Sequence, residues 1–90
     1  MPSSRFGHGR SETRDRPAVV TAARRERRRL GERLRVLRAE RKLTQAEAAE
    51  AVGMHPVHVS RIESGEANVT IGTLVALAIA YRVTLRDLFE

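Results

Sequence analysis

The chain has no cysteine and no tryptophan, and only three prolines among its 90 residues. Without thiols, disulfides and thiolate metal sites are excluded outright. No apolar run approaches the roughly 20 residues that cross a bilayer, and the arginine-bearing N-terminus lacks the apolar core that a secretory signal needs. Cytoplasmic residence, with no membrane partner, is therefore the expectation. Catalytic signatures are missing as well: there is no nucleophile elbow, no phosphate-cradling glycine loop and no zinc-protease motif. An enzyme is not expected, and no catalytic residue, metal or cofactor is assigned. Ninety residues allow one domain, and a core of about 60 residues lies near the size at which staples or association are usually needed.

Acidic charge is scarce in one region only. Residues 1–29 carry nine arginines against Glu12, Asp15 and Glu26, whereas residues 30–90 carry eight basic and eight acidic side chains. The net charge of +6 thus belongs entirely to the N-terminal third. Residues 1–21 are rich in Arg, Ser, Gly and Pro, too poor in large apolar groups to fold alone, and are expected to form a disordered basic tail. From Ala22 the composition changes, and Ala22-Ala23-Arg24-Arg25-Glu26-Arg27-Arg28-Arg29 leads without a breaker into Leu30. These are strong helix formers, so residues 22–90 are taken as the folded domain. Leu30, Leu34 and Leu37, with Val36 beside them, then form the buried stripe of a first helix.

The stretch from Leu43 to Glu63 spells two short amphipathic helices joined by a tight glycine turn, which is the layout of a DNA-reading helix-turn-helix. Thr44 is a good N-cap, and Glu47 three residues on completes a capping box. Ala48, Ala49 and Val52 turn one face inward, and the small alanines let a second helix cross close by. Gly53 stops the helix where a left-handed residue is needed. His55 takes the next N-cap, Pro56 suits the first helical position, and Val59 with Ile62 points a stripe into the core. Pro56, Val57, His58, Ser60 and Arg61 remain outward.

From Leu30 to Glu90 these residues resemble the DNA-binding domain of the phage-repressor/Cro-like (XRE) transcriptional regulators. The resemblance rests on Leu37-Arg38, Thr44-Gln45, Gly53, the run Ile62-Glu63-Ser64-Gly65 and the hydrophobic fourth helix. It implies an all-α, five-helix, lambda-repressor-like helix-turn-helix domain. The function implied is sequence-specific transcriptional regulation, with double-stranded DNA as partner and nucleoid association when bound. Asn68-Val69-Thr70-Ile71 and the ending Leu88-Phe89 look most like the small dimeric controller proteins of restriction-modification systems. Short bare domains of this type also serve as antitoxins and as phage or housekeeping repressors.

The resemblance also places the DNA contacts. In the family an arginine at the position of Arg38 pairs with a glutamate at the position of Glu63, tying the first helix to the end of the recognition helix. Gln45 is the residue that anchors the phosphate backbone and braces the start of the recognition helix; Thr44 lies beside it. Pro56, Val57 and Arg61 match positions that meet base edges, flanked by His55, His58 and Ser60. The guanidinium fork of Arg61 suits guanine O6 and N7, and Val57 offers a methyl surface to thymine. Related repressors often carry polar residues where Pro56 and Val57 stand, which shifts readout toward Arg61 and DNA shape. Ser64 and Asn68 are further phosphate candidates. Arg24, Arg25 and Arg28 either contact phosphate along an adjacent groove or form a solvated, fraying helix end.

His55 and His58 stand three apart and could share a metal, but no carboxylate, thiol or third histidine is placed beside them. The fourth helix, running IGTLVALAIAY after the N-cap Thr70, is apolar almost all round, unlike a normal surface helix. Leu74, Leu77, Ala78 and Tyr81 form the inward stripe. Ile71, Val75 and Ile79 form a second one, read as a homodimer face, with an enlarged internal core as the alternative. Leu85, Leu88 and Phe89, after the cap Thr84, either close the core or join that face, with Leu85 and Phe89 assigned to the interface. A two-fold dimer favours a roughly palindromic operator. RNA polymerase or a toxin are the further partners considered, and the alternatives are an autoregulatory antitoxin or a non-specific nucleic-acid binder driven by the tail.

Overall fold

The computed structural model describes residues 15–90. Its first helix, α1, spans Pro17–Glu40 and opens ahead of the expected boundary at Ala22. Pro17 explains the earlier start: at the first helical position its missing N–H would have had no partner, and its fixed φ suits a helix. Residues 17–21, assigned to a disordered tail from composition, are therefore helical, while that expectation for residues 1–14 lies outside the described residues.

Three shorter helices follow: α2 at Gln45–Val52, α3 at Pro56–Glu63 and α4 at Ile71–Tyr81. The final turn, Arg86–Phe89, is a 3₁₀ helix and not a fifth α-helix. Thr84 and Asp87 fix this turn by exchanging hydrogen bonds, Thr84 N to Asp87 Oδ2 at 2.8 Å and Asp87 N to Thr84 Oγ1 at 3.2 Å. Donation from the Thr84 backbone is the main reason that the Asp87 carboxyl lies below its ordinary value.

Local chemistry sets each boundary of the helix pair. Thr44 and Glu47 form a reciprocal capping box at the start of α2, at 3.0 and 2.8 Å. Gly53 ends α2 with φ of +72°, a conformation that costs glycine no Cβ clash. Val57 N donates to His55 Nδ1 at 3.2 Å, capping α3. That bond makes Nε2 the ring's own donor. Thr70 caps α4 through Thr73 N.

The core draws on every element: Leu34 and Leu37 of α1, Ala48 of α2, Ile62 of α3, Leu74, Leu77, Ala78 and Tyr81 of α4, and Leu88. Ala48 is fully inaccessible, which is how α2 approaches both α3 and α4 closely. Two arginines of α1 and its C-cap close the frame. Arg33 Nε donates to the Asp87 carbonyl at 2.9 Å, and Arg41 Nε to the Tyr81 carbonyl at 2.7 Å, covering an otherwise unpartnered carbonyl at the end of α4. Among the described residues no helix is long and apolar enough to cross a membrane.

Burial raises the phenol of Tyr81 from its ordinary 10.0 to about 12, with the charge of Glu63 adding to the effect and Arg38 opposing it. A folded-state value above the unfolded one means that this contribution is complete below about pH 10 and is lost as pH rises toward 12. Tyr81 is the only tyrosine, so tyrosinate absorbance reads it directly. Ionisation is expected above pH 11 together with unfolding, and Tyr81→Phe should move alkaline unfolding to higher pH. Ionisation near 10 with the helices intact would contradict this.

Candidate nucleic-acid interface

Helix α3 is anchored by its inner stripe and by its last residue. Val59 and Ile62 are buried, while Pro56, Val57, His58, Ser60 and Arg61 are exposed, as is the cap His55. Val57 stands 56% exposed on this face, an apolar side chain held in solvent at the tip of a helix. Arg61 extends from the same outer surface. Among the described residues no cluster of three His, Asp or Glu side chains forms that could hold a metal, and the Nδ1 of His55 is already engaged as a cap.

At its inner end α3 finishes on Glu63, a buried carboxylate that receives three hydrogen bonds. Arg38 of α1 donates Nε to Oε2 at 2.7 Å and NH2 to Oε1 at 3.0 Å, and Gln45 of α2 donates Nε2 to Oε1 at 3.0 Å. The same guanidinium donates NH1 to the Leu43 carbonyl at 2.7 Å. One carboxylate therefore joins α1, α2 and α3. Hydrogen bonding to Glu63 is the chief reason that Arg38 is raised above its ordinary value. Gln45 differs here from the role drawn by resemblance: its amide N–H braces the end of the recognition helix and not its start. Arg38 and Glu63 fix that carboxylate at the α1 side, and the first turn of α2 passes beside it. The second amide hydrogen of Gln45 and the free backbone N–H groups of the α2 N-terminus are the donors left for a phosphate.

Two glycines, Gly31 and the motif residue Gly65, set the approach of α1. A β-carbon on Gly31 would overlap the Ile62 and Glu63 carbonyl oxygens, so only glycine lets α1 lie against the end of α3. Gly65, at φ +81°, sits where a β-carbon would come within 2.9 Å of the Arg28 α-carbon. A signal for Gly31 existed: a glycine inside a helical pattern costs about 1 kcal/mol against alanine and usually marks close packing.

Two further candidate phosphate contacts, Ser64 and Asn68, are already engaged within the chain. Ser64 Oγ lies 2.6 Å from Glu66 Oε2, and Asn68 Oδ1 accepts from Arg27 at 3.4 Å. Glu66 thus places a negative charge in the loop after α3. Arg24 and Arg28 are exposed and line a groove with Ser64, Gly65 and Glu66. On α4, Ile71, Val75 and Ile79 are 63%, 40% and 72% exposed; Phe89 is 61% exposed, and Leu85 packs against the core.

Residues 34–88 match the helix-turn-helix (HTH_3) family. The chain is similar to the HTH-type transcriptional regulator DdrOP3 of Deinococcus deserti, with 41% identity over 61 residues, 68% of this chain and 47% of that protein. It therefore spans about half the length of that curated relative. Among solved structures it is similar to the restriction-modification controller protein C.AhdI from Aeromonas hydrophila, with TM-score 0.69 and 33% identity across 70% of this chain and 96% of the other. It is also similar to the clp gene regulator ClgR from Corynebacterium glutamicum, with TM-score 0.67 and 32% identity across 69% and 66%.

Removing Arg38 would strand the Glu63 charge among buried groups, which costs about 3 kcal/mol even where the intact pair contributes little. Arg38→Ala should lower the melting temperature by more than ~10 °C. Neutralising the orphan in Arg38→Ala/Glu63→Gln should recover a large part of that loss. A single variant as stable as the parent would remove the pair from this role.

Proposed function

The chain belongs to the helix-turn-helix family of DNA-binding transcriptional regulators, and from that premise we propose that it reads a roughly palindromic operator as a homodimer. The observation that carries this reading is the outer surface of α3: Pro56, Val57, His58, Ser60 and Arg61 are exposed on a helix whose end is held by Arg38 and Gln45. Arg61 is the principal base reader, through paired hydrogen bonds to guanine. Val57 meets a thymine methyl, and Pro56, His55, His58 and Ser60 complete the contact. Thr44, Gln45 and the free amide N–H groups of Asn68 hold the sugar-phosphate backbone, which fixes register without carrying sequence information, whereas Ser64 is occupied by Glu66.

The second copy covers the α4 stripe of Ile71, Val75 and Ile79, with Phe89 at its margin. Apolar groups exposed to this degree mark association surfaces, and a two-fold contact there is self-complementary. Two α3 helices then meet the major groove about one helical turn, ~34 Å, apart. Bound at a promoter in the cytoplasm, the dimer blocks or recruits RNA polymerase. Its likeness along almost the full length of a restriction-modification controller supports a regulator of that kind.

Selection of genomic fragments by the purified full-length chain tests this. A retained palindrome, the expected outcome, establishes a dimeric reader; retention without sequence preference contradicts it and favours a tail-driven binder. On the selected duplex, Arg61→Ala should cost about 1–3 kcal/mol and relax preference at one base pair of each half-site. Val75→Glu/Ile79→Glu should yield folded monomers by sedimentation and weaken binding. A variant that remains dimeric would place the interface elsewhere.

A further inference from the structure

The N-terminal half of α1 is a helical arm whose first turns, to Ala22, are exposed throughout and which meets the rest of the domain at Arg27 and Arg28. From Pro17 to Arg29 it runs on the order of 20 Å at 1.5 Å per residue. Among its residues are Arg24, Arg25, Arg27, Arg28 and Arg29 against the single acid Glu26, whereas residues 30–90 are electrically balanced. Glu26 is spent on Arg29, 3.7 Å away at the surface, and Arg27 leans on Asn68. Among the described residues, Arg24, Arg25 and Arg28 have no carboxylate within ion-pair distance.

The arm is not aimed at random. Arg24, Arg28 and Gly31 fall at i, i+4 and i+7, one face of the helix. Gly31 on that face meets the end of α3, and the backbone of Arg28 is held against Gly65. Both arginines therefore stand on the side of α1 that carries the recognition helix, one and two turns farther out, in a groove shared with Ser64 and Glu66. Like charges at i, i+4 repel and destabilise a helix, and Arg24–Arg28 and Arg25–Arg29 are two such pairs. An anionic polymer lying along the arm relieves both.

We propose that this arm is a second DNA-binding surface, in which Arg24 and Arg28, with Arg25 beside them, contact phosphates of the duplex flanking the sequence read by α3. The inference rests on the DNA-binding reading above. Arg24 and Arg28 lie about 6 Å apart along the helix axis, close to two phosphate steps at ~3.4 Å each. The arm supplies attraction that does not depend on sequence, and α3 supplies the choice of site. Glu66, held by Ser64, is the opposing charge in the groove.

The test compares the full-length chain with Arg24→Gln/Arg28→Gln on the shortest duplex that the parent selects and on the same duplex with about ten added base pairs at each end. Each lost phosphate contact removes about 0.9 from the slope of log K against log salt. The parent should prefer the longer duplex; the variant should lose that preference and about two units of slope between roughly 50 and 200 mM salt. Arg24→Lys/Arg28→Lys should keep the slope, and circular dichroism should show the helix intact in both. A glutamine variant with the parent's slope and flank preference would overturn the arm while leaving the operator reading in place. If the parent selects no sequence, the operator reading fails separately, and the same loss of slope is expected on a random duplex. Tighter, equally arginine-dependent binding to single-stranded RNA would assign the arm to another partner and overturn the proposal.

Discussion

A buried carboxylate with three donors around it is the constraint on which the arrangement depends. Glu63 ends α3, Arg38 comes from the later half of α1, and Gln45 opens α2. An isolated carboxylate in such surroundings would be costly, and the bidentate guanidinium with the added amide offsets most of that cost. What the network contributes is direction more than stability. Arg38 also holds the Leu43 carbonyl, so the turn into α2 is tied to the same guanidinium. Moving the end of α3 would break contacts to two helices at once.

Around this hub the molecule separates its tasks. The inner faces of α1, α2 and α4 form a compact aliphatic core around Tyr81, and the glycine contacts at Gly31 and Gly65 let α1 lie close enough for Arg38 to reach Glu63. The outer face of α3, the second stripe of α4 and Arg24, Arg25 and Arg28 of the α1 arm stay exposed, and these are the surfaces proposed to read bases, meet another copy and gather phosphate. The balanced charge of residues 30–90 places all the excess positive charge in residues 1–29, to which the arm belongs. The proposed reading thereby assigns specificity and attraction to different helices.

Much of this was legible in the sequence because it depends on local rules. The Thr44–Glu47 box, the left-handed Gly53, the cap at His55 and the inward stripes of α3 and α4 follow from neighbours three or four residues apart, and the structure shows each of them. What escaped was set by distant partners. Gly31 carries no mark of the Ile62 and Glu63 carbonyls that it meets, and Gln45 does not announce that its amide turns toward Glu63. Pro17 was a readable start signal, but the arginine-rich composition around it pointed to disorder. The 3₁₀ form of Arg86–Phe89 was not legible, because over four residues the apolar pattern alone cannot separate one helix type from another.

The central claim is that the Arg38–Glu63 contact orients the reading helix. Its most direct test is the affinity of Arg38→Ala for the selected duplex, measured far below the variant's melting temperature with helix content verified. The account predicts at least a tenfold loss with the fold intact, since α3 would keep its residues and lose its fixed exit from the domain. Parent-like affinity in a folded Arg38→Ala would contradict it and leave the pair a role in stability alone.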